Sequence, residues 1–235
     1  MYIAADDDDV VAITDAVQSG DQDAIRRLLT ARPELATARF GDEDGMSRTI
    51  LHAATDFPGH FPNVTATIAL LIEAGADVDA RFAGPHTETP LHWAASSGDV
   101  DAIDALLAAG ADKEASGGVL TGGPPLDDAV IFSQLVAARR LVEAGAHTTL
   151  FHAAALDLTA RIDELLAEDE SPDAEEITNA LWHACRNGCA AAARRLLDAG
   201  GDPRWLGWDD LTPLAAARAS GDPTLIEIME AATRR

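Results

Sequence analysis

The stretch TPLHWAASSGD, from Thr89 to Asp99, contains side-chain types that could do chemistry: a histidine beside a tryptophan, followed by two adjacent serines. A histidine near a serine can act as the base that activates a nucleophile. The same histidine position recurs as His52 and His152, each three residues after a threonine. A single catalytic site does not require such recurrence. We therefore predict that His92 has a structural role.

Two adjacent carboxylates, Asp127 and Asp128, are a second candidate, because burial could raise the pKa of one of them enough for acid–base work. Asp127 occupies the recurrent histidine position, as Trp182 does later in the chain. Neighbouring side chains on a helix diverge by about 100°, so the two carboxylates do not form a facing pair. We expect polar bridging from this pair to the next loop.

The two cysteines, Cys185 and Cys189, could offer soft ligands to a metal near one helix end. No third or fourth ligand follows them, so we predict small buried side chains with free thiols, no metal and no cofactor. Free thiols are typical of a reducing compartment, and the N-terminal MYIAADDDDV lacks the basic start and apolar segment of a secretory signal. The sequence therefore predicts a cytoplasmic protein.

The charge of the chain is strongly negative. Its 235 residues include 40 acidic and 17 basic side chains, with Lys113 as the only lysine and a net charge of −23. This charge repels phosphate backbones, which predicts no nucleic-acid partner. No apolar run approaches 18 residues, which predicts no membrane span. The acidic surface either keeps the protein soluble, as we favour, or attracts a basic partner.

The candidate residues lie on elements that repeat along the chain. Stretches with the layout of TPLHWAASS begin near Val11, Thr49, Thr89, Pro124, Thr149, Asn179 and Thr212. After each comes a turn, often at a glycine, and then a second apolar helix such as VDAIDALLAAGAD. Helices of about nine to twelve residues are unstable alone in water, so neighbouring pairs must stack their apolar stripes together. The fixed period predicts a repeat protein.

The third repeat, TPLHWAASSGDVDAIDALLAAGAD, resembles an ankyrin repeat: helix, turn, antiparallel helix and a β-hairpin finger. The resemblance covers almost the whole chain as seven repeats, of which the fourth to sixth are degenerate. It implies an all-α ankyrin-repeat solenoid in one domain over residues 1–235. Within that domain we expect a disordered start at 1–9, an N-terminal capping repeat at 10–45 and a C-terminal capping repeat at 212–235.

The resemblance also assigns roles to residues of the opening stretch. It implies that the recurrent histidine hydrogen-bonds neighbouring loop backbone and ties adjacent repeats together. It implies that Trp93 packs between helices and that Ser96 and Ser97 face the concave groove. Ankyrin arrays are similar to one another while their partners differ, so the family predicts the fold and leaves the partner open.

The chain departs from the family pattern in its fingers and in one loop. Four residues, AHTT at 146–149, separate the fourth repeat from the fifth, too few for a two-stranded hairpin, so we predict a missing finger. The first three fingers, at 41–48, 81–88 and 116–123, are long. Residues 55–63, TDFPGHFPN, form an inserted loop with two phenylalanines and a histidine. This loop could contact a partner, or its rings could pack down on the second and third repeats.

We expect the long fingers and the inserted loop to surround a binding surface over the first four repeats. Its candidate residues are Arg48, Phe57, His60, Phe61, Arg81, Phe82, His86, Ser96, Ser97 and Phe132. Trp208, near the tip of the last finger, is a second candidate for binding. Three of these, Arg48, Arg81 and His86, are scarce cations that could hold an acidic peptide or an anionic small molecule.

The sequence therefore predicts a non-enzymatic module that recognises a protein partner through the groove and fingers of the first four repeats. One alternative is an enzyme or small-molecule binder that uses His60 or His86 with a nearby carboxylate. The sequence contains neither a nucleophile elbow nor a phosphate-cradling glycine loop, either of which would favour catalysis. Another alternative is a subunit of an obligate assembly whose contact lies at the missing finger. The identity of the partner and the oligomeric state stay open.

Overall fold

A computed structural model of the chain describes residues 1–42 and 45–234. Glu43 and Asp44, in the first predicted finger, and Arg235, at the end of the predicted C-terminal capping repeat, lie outside the described residues. The described residues form seven consecutive helix pairs: α1 (Asp8–Ser19) and α2 (Gln22–Ala31), α3 (Ile50–Thr55) and α4 (Val64–Glu73), α5 (Pro90–Ser97) and α6 (Val100–Ala108), α7 (Pro125–Ile131) and α8 (Leu135–Glu143), α9 (Leu150–Ala155) and α10 (Thr159–Leu166), α11 (Ala174–Arg186) and α12 (Ala190–Asp198), and α13 (Pro213–Ser220) and α14 (Pro223–Thr233).

The third helix pair shows how the sequence sets the limits of each helix. α5 starts after Thr89 with Pro90 at its first position, where the missing proline N–H leaves no hydrogen bond unmade. It ends at Gly98, whose φ of 73° is in the left-handed region that glycine enters without strain. Asp99 then caps α6 by accepting a hydrogen bond from Ala102 N at 3.0 Å. Turn and caps together position the two helices of one repeat.

The contacts divide the chain into two compact units, Met1–Ala146 and His147–Arg235, where the sequence suggested one domain over residues 1–235. We call them the N-terminal and the C-terminal unit. The boundary lies within AHTT. α8 ends at Glu143 and α9 begins at Leu150, and residues 144–149 contain no strand, because so short a connection leaves no room for two paired strands.

Each unit has a core built from the apolar stripes of its helices. In the N-terminal unit the fully buried side chains include Ile13, Leu51, Leu91, Ile103 and Leu126. In the C-terminal unit the core includes Leu181, Trp182, Leu196, Leu225 and Met229. Alanines of the first helices are also fully buried, which lets the neighbouring helices approach closely. The predicted all-α ankyrin-repeat solenoid is confirmed as the stacking of helix pairs within each unit.

A small sheet lies at the start of the chain. Strands β1 (Tyr2–Ile3), β2 (Arg39–Gly41) and β3 (Ser47–Arg48) pair in that order, β1 parallel to β2 and β2 antiparallel to β3. Ser47 also forms an isolated antiparallel bridge with Ala83 in the second finger. The first two fingers are therefore joined by backbone hydrogen bonds.

Residues 1–9, predicted to be disordered, are ordered in the structure. β1 pairs with β2, and α1 begins at Asp8, inside the acidic run Asp6 to Asp9. Asp7 caps this helix by accepting from Asp9 N at 3.0 Å, and Arg32 lies 2.8 Å from both carboxylates. Carboxylates at a helix N-terminus are favourable, so the acidic run is a helix start.

Candidate functional site

The recurrent histidines connect neighbouring repeats through the backbone. His92 Nδ1 accepts from Thr89 N at 3.0 Å, and its Nε2 lies 3.1 Å from Gly123 O. Because Nδ1 accepts a backbone N–H, the ring proton is on Nε2 and is donated to the carbonyl. His52 repeats this arrangement, with Nε2 3.1 Å from Glu88 O. These rings serve the scaffold, as the recurrence predicts.

Burial keeps both bridging rings neutral. His52 and His92 are fully buried. Loss of solvation lowers the pKa of His52 to about 3, against a partly compensating hydrogen bond to the Glu88 carbonyl. Burial lowers the pKa of His92 in the same way. A neutral ring with both nitrogens engaged has no free lone pair for proton abstraction, which argues against a catalytic role.

Trp182 also connects neighbouring repeats, with an indole in place of an imidazole. It occupies the histidine position in the sixth repeat and is almost fully buried. Its indole Nε1 donates to Leu211 O at 2.9 Å, a carbonyl in the segment just before α13. This hydrogen bond matches the one that His92 Nε2 makes to Gly123 O. The substitution therefore keeps the connection between repeats although the residue type has changed.

The inserted loop at 55–63 is anchored on both sides. His60 N donates to Asp99 Oδ2 at 2.5 Å, and Asn63 Nδ2 donates to Gly20 O at 3.1 Å. The sequence left open whether the two phenyl rings are exposed, and they differ. Phe57 is 84% exposed, whereas Phe61 is half-buried. The loop therefore presents one aromatic ring to solvent on an anchored backbone.

The scarce cations of the fingers have partners inside the protein. Arg48 Nη1 lies 2.5 Å from Asp56 Oδ2, and His86 Nδ1 lies 3.2 Å from Glu88 Oε2 without hydrogen-bond geometry. Arg81 donates to Thr87 O at 3.2 Å and also to the carbonyl of Ser116 in the third finger. These contacts weaken the expectation that the three side chains are available to hold an anion.

Sequence reasoning missed one residue of this network, Arg39. Its guanidinium donates to Ser47 Oγ at 2.9 Å and to the carbonyls of Ser47 and Arg81 at 2.8 Å each. Arg39 thus connects the first finger to the second, as Arg81 connects the second to the third. A lone arginine in a strand carries no motif, so only the positions of the carbonyls reveal its role.

Aromatic rings form a packed cluster beneath the second finger. Phe82 stacks on His86 with ring centroids 4.5 Å apart and lies 5.7 Å from the ring of Trp93. Trp93 in turn meets His52 edge-on at 4.9 Å. Phe82 and His86, predicted as binding residues, are therefore mainly engaged with one another, and Trp93 packs between repeats as expected.

The positions expected on the groove differ in exposure. Ser96 and Ser97 are half-buried; Ser96 Oγ donates to Trp93 O at 3.0 Å, and Gly59 of the inserted loop lies close against Ser97. Phe132, at the end of α7, is 44% exposed. In the C-terminal unit, Trp208 is 59% exposed and its Nε1 donates to Asn179 Oδ1 at 2.9 Å. Among the predicted binding residues, the exposed phenyl and indole rings are therefore Phe57, Phe132 and Trp208.

Asp127 and Asp128 have different surroundings. A Cβ atom at Gly123 would lie 2.2 Å from Asp127 Oδ2, so the third finger closely approaches this carboxylate, as the predicted bridging requires. Asp128 is fully buried, and neither of its oxygens accepts a hydrogen bond from the described residues. Burial raises the pKa of Asp128 to about 8, with the charges of Glu88 and Asp127 adding to the rise.

Two cavities lie away from these histidines. One, of about 230 Å³, is lined by residues at the start of the chain and on the first helix, with Arg48: Ala5, Val10, Val11, Thr14, Asp15, Phe40 and Arg48. The other, of about 350 Å³, lies in the C-terminal unit between α12 and α14 and includes Leu197, Pro203 and Ile228. Neither of the two is lined by a histidine, so neither matches the predicted pocket around His60 or His86.

The described residues bring no three histidine, cysteine, aspartate or glutamate side chains together in an arrangement that could hold a metal ion. Both cysteines are buried and neither is disulfide-bonded, and burial raises the pKa of the Cys185 thiol to about 12. Within the described residues, each helix is too short or too polar to cross a bilayer.

Comparison with known proteins identifies the family. A family model described as ankyrin repeats in three copies matches residues 13–117 and 65–152 of the chain. The chain is an ankyrin-repeat protein. Ankyrin repeats are generally protein-interaction modules, so the fold carries an expectation of binding without naming a partner.

Three relatives of this ankyrin-repeat protein differ in how much they share with it. Ankyrin repeat and SOCS box protein 16 from Homo sapiens is 34% identical over 181 residues, which is 68% of this chain and 38% of that protein. Protein fem-1 homolog A from Danio rerio is 40% identical over 101 residues, 39% of this chain and 14% of that protein. Ankyrin repeat and KH domain-containing protein mask-1 from Caenorhabditis elegans is 28% identical over 169 residues, 72% of this chain and 6% of that protein. The chain spans well under half the length of each of these relatives.

Proposed function

We propose that this ankyrin-repeat protein binds a protein partner through the groove and fingers of its first four repeats. The observation that carries the proposal is Phe57, a phenyl ring 84% exposed on a loop that is anchored to the first and third repeats. Burying a phenylalanine stabilises a complex by about 1.5–3 kcal/mol, and an anchored loop loses little entropy on binding.

Other exposed apolar side chains of the N-terminal unit support this assignment. Phe132, beside the turn that follows α7, is 44% exposed, as Phe57 is exposed on the corresponding turn, and Val136 in the first turn of α8 is 73% exposed. Met46 in the first finger and Leu120 in the third are 64% and 66% exposed. The apolar surface thus lies on both the turns and the fingers, the two edges that border the groove.

The charges favour a protein partner over an anionic small molecule. Arg48 and His86 face carboxylates, and Arg81 is engaged by carbonyls, so an anion would have to displace these contacts. His86 is also stacked on Phe82, which leaves little room for it to reach a substrate. We propose that this interaction takes place in the cytoplasm, because two cysteines outside any disulfide suit a reducing compartment.

The proposal is tested by retention of proteins from an extract of the native organism on immobilised chain. Two variants are compared with the parent: the double variant Phe57→Ser with Phe132→Ser in the N-terminal unit, and Trp208→Ser in the C-terminal unit as a matched loss of an exposed ring. Circular dichroism first establishes that each variant keeps its helices. A partner retained by the parent and by Trp208→Ser, and lost by the double variant, supports the proposal. A partner lost only with Trp208→Ser places the site in the C-terminal unit and contradicts it.

A further inference from the structure

A pair of buried carboxyl groups lies beneath the third finger, which we define as residues 116–123. Asp128 belongs to α7 and is fully buried; Glu88, at the end of the second finger, is 7% exposed. Glu88 is near enough to Asp128 to add, after burial, to the rise in the pKa of Asp128. The backbone of the third finger covers it: a Cβ atom at Gly118 would lie 3.0 Å from Asp128 Oδ1. Two acids therefore meet in a space closed to water.

Glu88 has two partners of its own. Its Oε1 accepts from Val119 N at 2.8 Å, a backbone donor in the third finger. Its Oε2 lies 3.2 Å from His86 Nδ1. The hydrogen bond from Val119 N ties the Glu88 side chain to the third finger.

Asp128 has no such support from any neighbouring element. Asp127, on the same helix and 7% exposed, adds a second negative charge nearby. His92 is neutral and turned toward Gly123 O, and the Arg81 guanidinium is held by the carbonyls of Thr87 and Ser116. Neither Asp128 oxygen accepts a hydrogen bond from the described residues. A buried carboxylate with no donor costs several kcal/mol, whereas a carboxylic acid can donate to its neighbour.

We propose that Glu88 and Asp128 share one proton, which Asp128 donates to Glu88, and that loss of this proton releases the third finger. Protonated, Asp128 supplies an O–H···O hydrogen bond that links α7 to Glu88, and Glu88 links on to Val119. When the proton leaves to water, two negative charges face each other in a closed space. One of them must then gain access to solvent.

The finger is the element that yields. α7 is held by Leu126 and Ala129, both fully buried in the core. The third finger is covered by no other described element over Val119 to Gly122, all of them exposed, and contains four glycines. The two ends of the finger stay bound, by Arg81 at Ser116 O and by His92 at Gly123 O, so the part that moves is the tip around Val119 and Leu120. Release changes how Val119 and Leu120, 45% and 66% exposed, are presented at the surface.

The direct test is a carboxyl ¹³C NMR titration of the uniformly labelled parent protein, with the Asp128 carboxyl assigned through its scalar couplings to the Asp128 backbone. We expect Asp128 to stay protonated at pH 6 and to ionise only above about pH 7. Ionisation of Asp128 near pH 4, as for an exposed aspartate, overturns the proposal, and so does a bound cation that keeps it ionised throughout. This reading uses the unaltered protein, so it stands even if the variant does not fold.

Hydrogen exchange at the Val119 amide tests the release of the finger. After correction for the intrinsic rate, its protection in the parent should fall as pH rises, by up to about tenfold for each pH unit, and should level off above the pH at which Asp128 ionises in the closed state. In Asp128→Asn, where the amide replaces the acid as a permanent donor, protection should not change with pH. Asp101→Asn, an exposed aspartate of the same unit, is the matched control and should behave like the parent. Equal pH profiles in the parent and in Asp128→Asn would contradict the proposed release of the third finger. The test needs no partner and is independent of the proposed function.

Discussion

Replacing His92 with alanine should lower the free energy of unfolding by about 2–4 kcal/mol. The change removes the acceptor of the Thr89 amide, which is fully buried, and an unsatisfied buried donor costs about 1–3 kcal/mol. It also removes the donor to Gly123 O at 3.1 Å, although that carbonyl is partly accessible to water and loses less. The cavity left by a fully buried ring adds to the cost.

The assay is urea unfolding followed by circular dichroism, with midpoints compared at equal slope. His60→Ala is the control, because it is the same substitution in the same unit on a side chain that is 65% exposed. Its backbone N–H, which donates to Asp99, is retained, so we expect a change of no more than about 0.5 kcal/mol. Equal unfolding of His92→Ala and the parent would refute the scaffold role, as would equal losses in both variants.

Three further outcomes are expected. The free energy of unfolding should be greatest near pH 6.5. His52 and His92 have lowered pKa values, so their contribution to stability is lost as pH falls below about 6.5. The pKa of Asp128 is raised, so its contribution to stability is lost as pH rises toward 8. In thermal unfolding, the alkaline loss should be about 2 kcal/mol between pH 6.5 and 8 and should vanish in Asp128→Asn. Trp182→Phe should cost about 1–3 kcal/mol in urea unfolding, because it leaves Leu211 O without its donor; an unchanged midpoint would contradict the bridging role. Phe57→Ser should leave the midpoint within about 0.5 kcal/mol of the parent, since the ring is 84% exposed, and a larger loss would mean that the ring packs on the protein.

The periodic features of the sequence predict much of this structure. Repeat starts such as Thr89 and turn glycines such as Gly98 depend on local backbone preferences, so each can be assigned from a few neighbouring residues. The recurrence of His52 and His92 predicts their structural role for the same reason. The four-residue connection at 146–149 predicts the missing finger from length alone.

The features that failed or stayed open depend on distant parts of the chain. The order of residues 1–9 comes from pairing with β2 and from Arg32, which are some thirty residues away. Arg39 becomes a bridge because the carbonyls of Ser47 and Arg81 fall within its reach. Asp128 is buried because the third finger folds over it, and the sequence around Asp128 does not predict this burial. These features depend on residues that are far apart in the sequence, so only the three-dimensional structure reveals them.

The indole at position 182 gives this protein an uneven tolerance to acid along its length. An imidazole that bridges two repeats can gain a proton, and each bridge of that kind weakens once the surroundings are acidic enough. The indole nitrogen is not basic and does not gain a proton in this way, so the hydrogen bond from Trp182 to Leu211 O persists at any pH the cell encounters. Brief acidification should thus loosen the junctions at His52 and His92 before it reaches the one near the C-terminal end. A protease added during such a pulse would cut first among the early repeats and leave the last ones whole.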